Sequence, residues 1–109
     1  MSTIHSTGSG TATATGGAAT LANRFGVVTT EALTTAQNAI YTLTVTNTSV
    51  KATDIAMASV TDGTNTQGTP MVVRVTPGAG TLVITVANKH ATAEALNGTL
   101  KVSFAVFGA

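Results

Sequence analysis

Residues 70–88 read Pro70-Met71-Val72-Val73-Arg74-Val75-Thr76-Pro77-Gly78-Ala79-Gly80-Thr81-Leu82-Val83-Ile84-Thr85-Val86-Ala87-Asn88. Met71, Val73 and Val75 alternate with Val72, Arg74 and Thr76, and Leu82, Ile84 and Val86 alternate with Thr81, Val83, Thr85 and Ala87. Period-two alternation on both sides of a Pro/Gly turn predicts an antiparallel hairpin with one fully apolar face. A hairpin is marginal in water by itself, so that face requires a second sheet to cover it.

The rest of the chain supplies the strands for one. Residues 24–30 predict a first strand around Phe25, Val27 and Val28. Tyr41, Leu43 and Val45 against Thr42, Thr44 and Thr46 predict a second, apolar on one face and hydroxylated on the other. Residues 55–61 predict a third, with its small residues outward. Leu100, Val102, Phe104 and Val106 alternate with Lys101, Ser103, Ala105 and Phe107 in a long final strand. Residues 31–38, rich in Thr, read as a loop or bent strand rather than a helical turn, because β-branched residues lose χ1 freedom in a helix. Asn97-Gly98 reads as a tight turn with positive φ. About six strands at this spacing predict an all-β fold, an antiparallel β-sandwich of the jelly-roll or Ig-like Greek-key kind. Phe25, Tyr41 and Phe104 are its expected anchors, and Phe107, out of phase with Phe104, is expected on the opposite face as a subunit contact.

Residues 1–17 form a separate region in this reading, ahead of a sandwich domain at 18–109. Residues 2–17 are almost wholly Ser, Thr, Gly and Ala, with Ile4 as the one sizeable apolar side chain and His5 beside it. Such a segment buries too little to offset its ordering entropy and is expected to be a flexible arm. Two readings stay open: a loose terminus, or an arm that orders by adding to a neighbour's sheet.

Composition excludes several functions. Charged residues are 8% of the 109 positions, against roughly a quarter in ordinary domains, and the formal net charge is +1. Threonine, about a fifth of the chain, keeps the surface hydrated instead. The basic residues Arg24, Lys51, Arg74, Lys89 and Lys101 are dispersed, which argues against a nucleic-acid partner. No stretch is apolar for the ~18 residues of a spanning helix, and Met1-Ser2-Thr3-Ile4-His5 does not read as a signal peptide, so no membrane partner is expected.

Site chemistry is equally thin. There is no cysteine, and the two histidines, His5 and His90, are too few for a zinc site, so no metal or cofactor is expected. Asp62 and Asn65 lack the alternating carboxylates of a calcium loop and read as an Asx-type turn. Glu31, Asp54, Asp62 and Glu94 are scattered, and no nucleophile stands in a recognisable context, so no enzyme is expected.

Five stretches carry a resemblance: Thr29-Thr30-Glu31-Ala32-Leu33-Thr34-Thr35-Ala36, Tyr41-Thr42-Leu43-Thr44-Val45-Thr46-Asn47, Asp62-Gly63-Thr64-Asn65-Thr66, Val75-Thr76-Pro77-Gly78-Ala79-Gly80 with the strand that follows it, and Ala95-Leu96-Asn97-Gly98-Thr99-Leu100. In these the chain resembles the small β-sandwich virion proteins of tailed bacteriophages, of the capsid decoration, cement or head-fibre type. The resemblance implies a non-enzymatic homo-oligomer, often a trimer, on the outer capsid surface, with the major capsid protein as partner. In that setting Ile4, His5 and Phe107 become the expected partner contacts. Tail-fibre, head-fibre or adaptor proteins share the texture. A carbohydrate-binding module uses the same architecture but favours loop aromatics that residues 62–69 and 88–97 lack.

Overall fold

In the computed structural model, which describes residues 9–108, the chain folds as strands, turns and loops, with no helix among the described residues. The strands are β1 (Ser9–Thr13), β2 (Ala18–Thr20), β3 (Phe25–Thr29), β4 (Ile40–Thr46), β5 (Ile55–Asp62), β6 (Pro70–Gly78), β7 (Thr81–Asn88) and β8 (Leu100–Phe107). They form two four-stranded sheets, ordered β1-β3-β8-β5 and β2-β4-β7-β6. One apolar cluster joins them. Val28, Leu100, Val102, Phe104 and Val106 from the first sheet and Leu43, Val45, Leu82, Ile84 and Val86 from the second are at most 4% exposed.

The expected antiparallel arrangement needs a correction, since both sheets are mixed. β1 pairs parallel with β3, from Ser9 opposite Phe25 to Thr13 opposite Thr29, and β2 pairs parallel with β4. Both parallel strands come from the N-terminal segment, and residues 9–17 of the expected flexible arm are strand and turn in this chain. Ala12 and Ala14 point inward between exposed Thr11 and Thr13, and Ala14 is buried in the core. Their backbone groups are satisfied by β3, so β1 needs little side-chain bulk. Gly16 and Gly17, at φ 60° and 80°, make the two-residue turn that carries the chain from the first sheet to the second, closed by Thr15 and Ala18 bonding each other's backbones. Positive φ at both central positions suits glycine, and a Cβ on Gly17 would also lie 2.8 Å from the Thr42 carbonyl. Residues 1–8, including Ile4 and His5, lie outside the described residues.

The hairpin forms as expected, with one change of phase. Between Val72 and Arg74 a bulge shifts the register, so that Val72 opposes Val86 and Arg74 opposes Thr85. An extra residue reverses the alternation beyond it. Val72 and Val75 therefore pack on the core, and Met71 and Val73 are 48% and 51% exposed. β5 reverses its expected faces as well. Ala58 lies opposite Phe104 and Ala56 opposite Val106, and these small residues face inward because the larger partners fill the space. Ile55 and Met57 are left outside, 61% and 63% exposed.

Three buried asparagines order the loops. Asn47 donates Nδ2 to the Asn23 carbonyl at 2.6 Å and accepts from the Ser49 backbone and hydroxyl. Asn65 donates to the Asp62 carboxylate and the Gln67 carbonyl and accepts from the Asn97 N–H, tying loop 62–67 to loop 97–99. Asn88 makes four side-chain bonds, to Thr35, Glu94, Thr69 and His90. The expected positive-φ turn at Asn97-Gly98 does not occur. Gly98 is instead a point of close approach, where a Cβ would stand 2.7 Å from the Asn65 backbone nitrogen.

Candidate interaction surface

Alternation sends every second residue of the first sheet outward, and the register arranges them in rows. Phe25, Ala105 and Met57 lie side by side, with Phe107 opposite Ile55 beyond them. On the other side come Val27, Ser103 and Ser59, then Thr29, Lys101 and Thr61. The outer face thus grades from apolar to hydroxylated along the strands. Phe25 meets Phe107 edge-on, with ring centroids 6.1 Å apart, and Phe107 remains 45% exposed. Ser59 and Ser103 share a hydrogen bond of 2.7 Å at the boundary. Between the bulky row and this serine pair the small side chains leave an open hollow of about 250 Å³, lined by Met57, Ala58, Ser59, Ser103, Phe104 and Ala105.

No charged residue stands in the rows from Ile55–Phe107 to Ser59–Ser103–Val27. Two charges adjoin them in sequence, Asp54 before Ile55 and Arg24 before Phe25, and Arg24 is tied to the loop after β4. Its guanidinium donates to the Ser49 carbonyl at 2.6 Å and to Asp54 at 3.3 Å. The Lys51 N–H, at 2.9 Å, holds the Asp54 carboxyl below the ordinary carboxylate range. Burial opposes this, and Arg24 and the Lys51 charge reinforce it. This clamp fixes the loop between β4 and β5 immediately before Ile55.

The second sheet presents a different outer face. Thr42 and Thr85 lie beside Arg74, Thr44 and Val83 beside Thr76, and Thr46 beside Thr81. Its apolar end is Ile40 and Met71 on either side of Ala87, with Val73 and the Arg74 charge adjoining. At the flank, Tyr41 donates its hydroxyl to Glu31 at 2.9 Å. Burial first, then that bond and the Glu31 charge, raise the phenol far above its ordinary range.

One polar chain sits among the end loops. Thr69 Oγ1 is 3.0 Å from His90 Nδ1, and His90 Nε2 is 3.4 Å from Glu94 Oε1. A hydroxyl, an imidazole and a carboxylate in series are the parts of a nucleophilic relay, but such a relay also needs donors aimed at the reacting oxygen. Here the adjacent N–H groups are consumed. Gly68 donates to Glu94, and Thr69 and His90 donate to Asn88. The arrangement braces the loop. Among the described residues no three His, Cys, Asp or Glu side chains converge as a metal site would require, and no helix is long and apolar enough to cross a membrane.

Of the three residues singled out from sequence, Ile4 and His5 lie outside the described residues, and Phe107 stands at the apolar end of the first sheet's outer face. Its companions Ile55 and Met57 escaped the sequence reading, and Phe25, expected as a core anchor, lies instead on this outer face against Phe107, because the pairing of β3 with β8 turns Val28 inward. β5 carries apolar residues in both phases, and only pairing with β8 selects which phase is outside. A removal of residues 1–17, which would test an arm cleanly if the arm were separate, takes β1 and the buried Ala14 with it. Comparison with known protein families, with curated proteins and with solved structures finds no match to this chain.

Proposed function

We propose that this chain is a non-enzymatic structural protein of a tailed-phage virion, a decoration or cement protein seated on the outer capsid surface against the major capsid protein. Its two sheets act as a β-sandwich, for which the shared core between them is the support. A jelly-roll or Ig-like Greek-key topology belongs to the same proposal, supported by the number and spacing of the strands. The observation that bears most on function is the exposed, charge-free apolar end of the first sheet, with Ile55 and Met57 each more than 60% exposed. A contiguous apolar area of this kind on a small protein signals a contact surface. The sparse charge and hydroxyl-rich remainder suit a wide, wet contact repeated by symmetry, in which many weak sites act together.

The proposal is tested by the copy number of this protein relative to the major shell protein in purified particles, measured by quantitative mass spectrometry. A ratio approaching one to one supports decoration of the lattice, because only the shell offers so many equivalent sites. A few copies per particle moves the protein to a fibre, vertex or adaptor. Absence from particles overturns the virion reading. Substituting Ile4 and His5 by Ser, rather than deleting residues 1–17, tests their proposed contact while leaving β1 in place.

A further inference from the structure

We infer that the outer face of the first sheet docks on the same face of a second copy of this chain, about a two-fold axis passing over the Met57–Ala105 row. This rests on the homo-oligomer that the resemblance to virion proteins implies, gives it two-fold symmetry in place of the expected trimer, and specifies its surface. Three observations select a second copy as the occupant.

The first is the order of the rows. Counting along β8, Phe107 lies two residues to one side of Ala105 and Ser103 two residues to the other, and in β5 Ile55 and Ser59 flank Met57 in the same way. A two-fold axis at the middle row brings the bulky Ile55–Phe107 row of one copy over the Ser59–Ser103 row of the other, twice. The second is the shape. The open hollow of about 250 Å³ extends from the axis row, Met57 and Ala105, to the Ser59–Ser103 row on the side away from Ile55 and Phe107. Knob and hollow therefore occur on one face at the spacing an isologous contact needs.

The third is area and charge. Ile55, Met57 and Phe107, at 61%, 63% and 45% exposure, leave on the order of 300–400 Å² of side chain in water. A standard interface takes ~800 Å² from each partner. The three side chains supply about half, and the surrounding Phe25, Val27, Ala105 and serine pair extend the contact. The rows around the axis, from Ile55–Phe107 to Ser59–Ser103, carry no charge, and Lys101 lies one row further out. Such rows give an oppositely charged partner no purchase, whereas two copies of them meet with no charge to desolvate. The second sheet's apolar end carries Arg74 beside it, and its exposed apolar residues, Ile40, Met71 and Val73, include no aromatic.

The test uses the purified full chain without capsid, so its outcome is independent of the copy-number measurement. Sedimentation equilibrium from about 1 to 100 µM is expected to give a mass rising to two protomers. Met57→Arg, at a side chain too exposed to disturb the core, is expected to weaken association at least about a hundredfold by placing a charge in the contact, with an unchanged far-UV circular dichroism spectrum. The chain has no cysteine, so Ala105→Cys is a single reporter beside the axis. Under mild oxidation it is expected to form a covalent dimer, and Thr42→Cys on the other sheet is not. A wild-type mass of one or three protomers at 100 µM overturns the inference, as does a dimer unaffected by Met57→Arg or cross-linked equally from Thr42→Cys. Should Met57→Arg misfold, the two cysteine variants decide the matter.

Discussion

Removing the Asn88 side chain should destabilise this protein more than any surface change, and the sign of its pH dependence can be set in advance. Asn88 is fully buried at the end of β7. Its Nδ2 donates to the Thr35 carbonyl at 3.0 Å and the Glu94 carbonyl at 2.7 Å. Its Oδ1 accepts from the N–H groups of Thr69 at 3.1 Å and His90 at 3.2 Å. One side chain thus joins three loops. At about 1 kcal/mol net per bond, four bonds give about 4 kcal/mol. Water entering the vacated space returns part of this, so Asn88→Ala should cost about 3–4 kcal/mol. That is a large share of the ~5–15 kcal/mol of a typical domain.

Asn88→Asp keeps the shape and reverses the chemistry. The oxygen replacing Nδ2 faces two carbonyls, so its carboxyl should titrate above the ~3.9 of an unfolded aspartate. A carboxyl with a raised folded value is stabilising in its protonated form, and that contribution is lost as pH rises through the folded value. The deficit of Asn88→Asp against wild type should therefore be smaller at pH 4 than at pH 7. Urea denaturation of wild type and both variants at the two pH values measures it. An Asn88→Ala deficit under ~1 kcal/mol, or an Asn88→Asp deficit larger at pH 4 than at pH 7, would refute the reasoning.

Phe104→Ala removes the one aromatic side chain of the buried core, 4% exposed, and should cost about 3–5 kcal/mol in chemical denaturation. The small Ala58 opposite it cannot refill the space. Asp54, whose carboxyl is held below the ordinary range by the Lys51 N–H and by Arg24, contributes stability present above the unfolded carboxylate value and lost as pH falls through its lower folded one. Asp54→Asn should accordingly flatten the acid limb of a melting-temperature profile below about pH 4, and an unchanged limb would count against the clamp.

Which parts of this fold were legible in the chain follows from what fixes them. The five long strands, β4 to β8, and the shorter β3 appear in the alternation of Leu43 with Thr44, Ile84 with Thr85 or Val102 with Ser103, since a half-buried strand must alternate. Their turns are marked by local chemistry such as Pro77 to Gly80. β1 and β2 left weaker traces. Ala12 and Ala14 alternate with threonines, and Gly16-Gly17 is a turn dipeptide, yet alanine alone offers too little burial to predict a strand that parallel pairing with β3 and β4 supplies.

For the interaction surface the division is sharper. Phe107 could be set opposite Phe104 by counting along one strand. Whether Ile55 and Met57 or Ala56 and Ala58 face water could not, because both phases of β5 are apolar and the choice belongs to the partner strand and the volume of Phe104. The same holds in β6, where a bulge, invisible in the alternation, turns Met71 and Val73 outward and Val72 and Val75 inward. Local sequence determined the strands from β3 to β8, since these depend on period and turn residues. Tertiary structure decided their faces and neighbours, because register and packed volume depend on residues far along the chain.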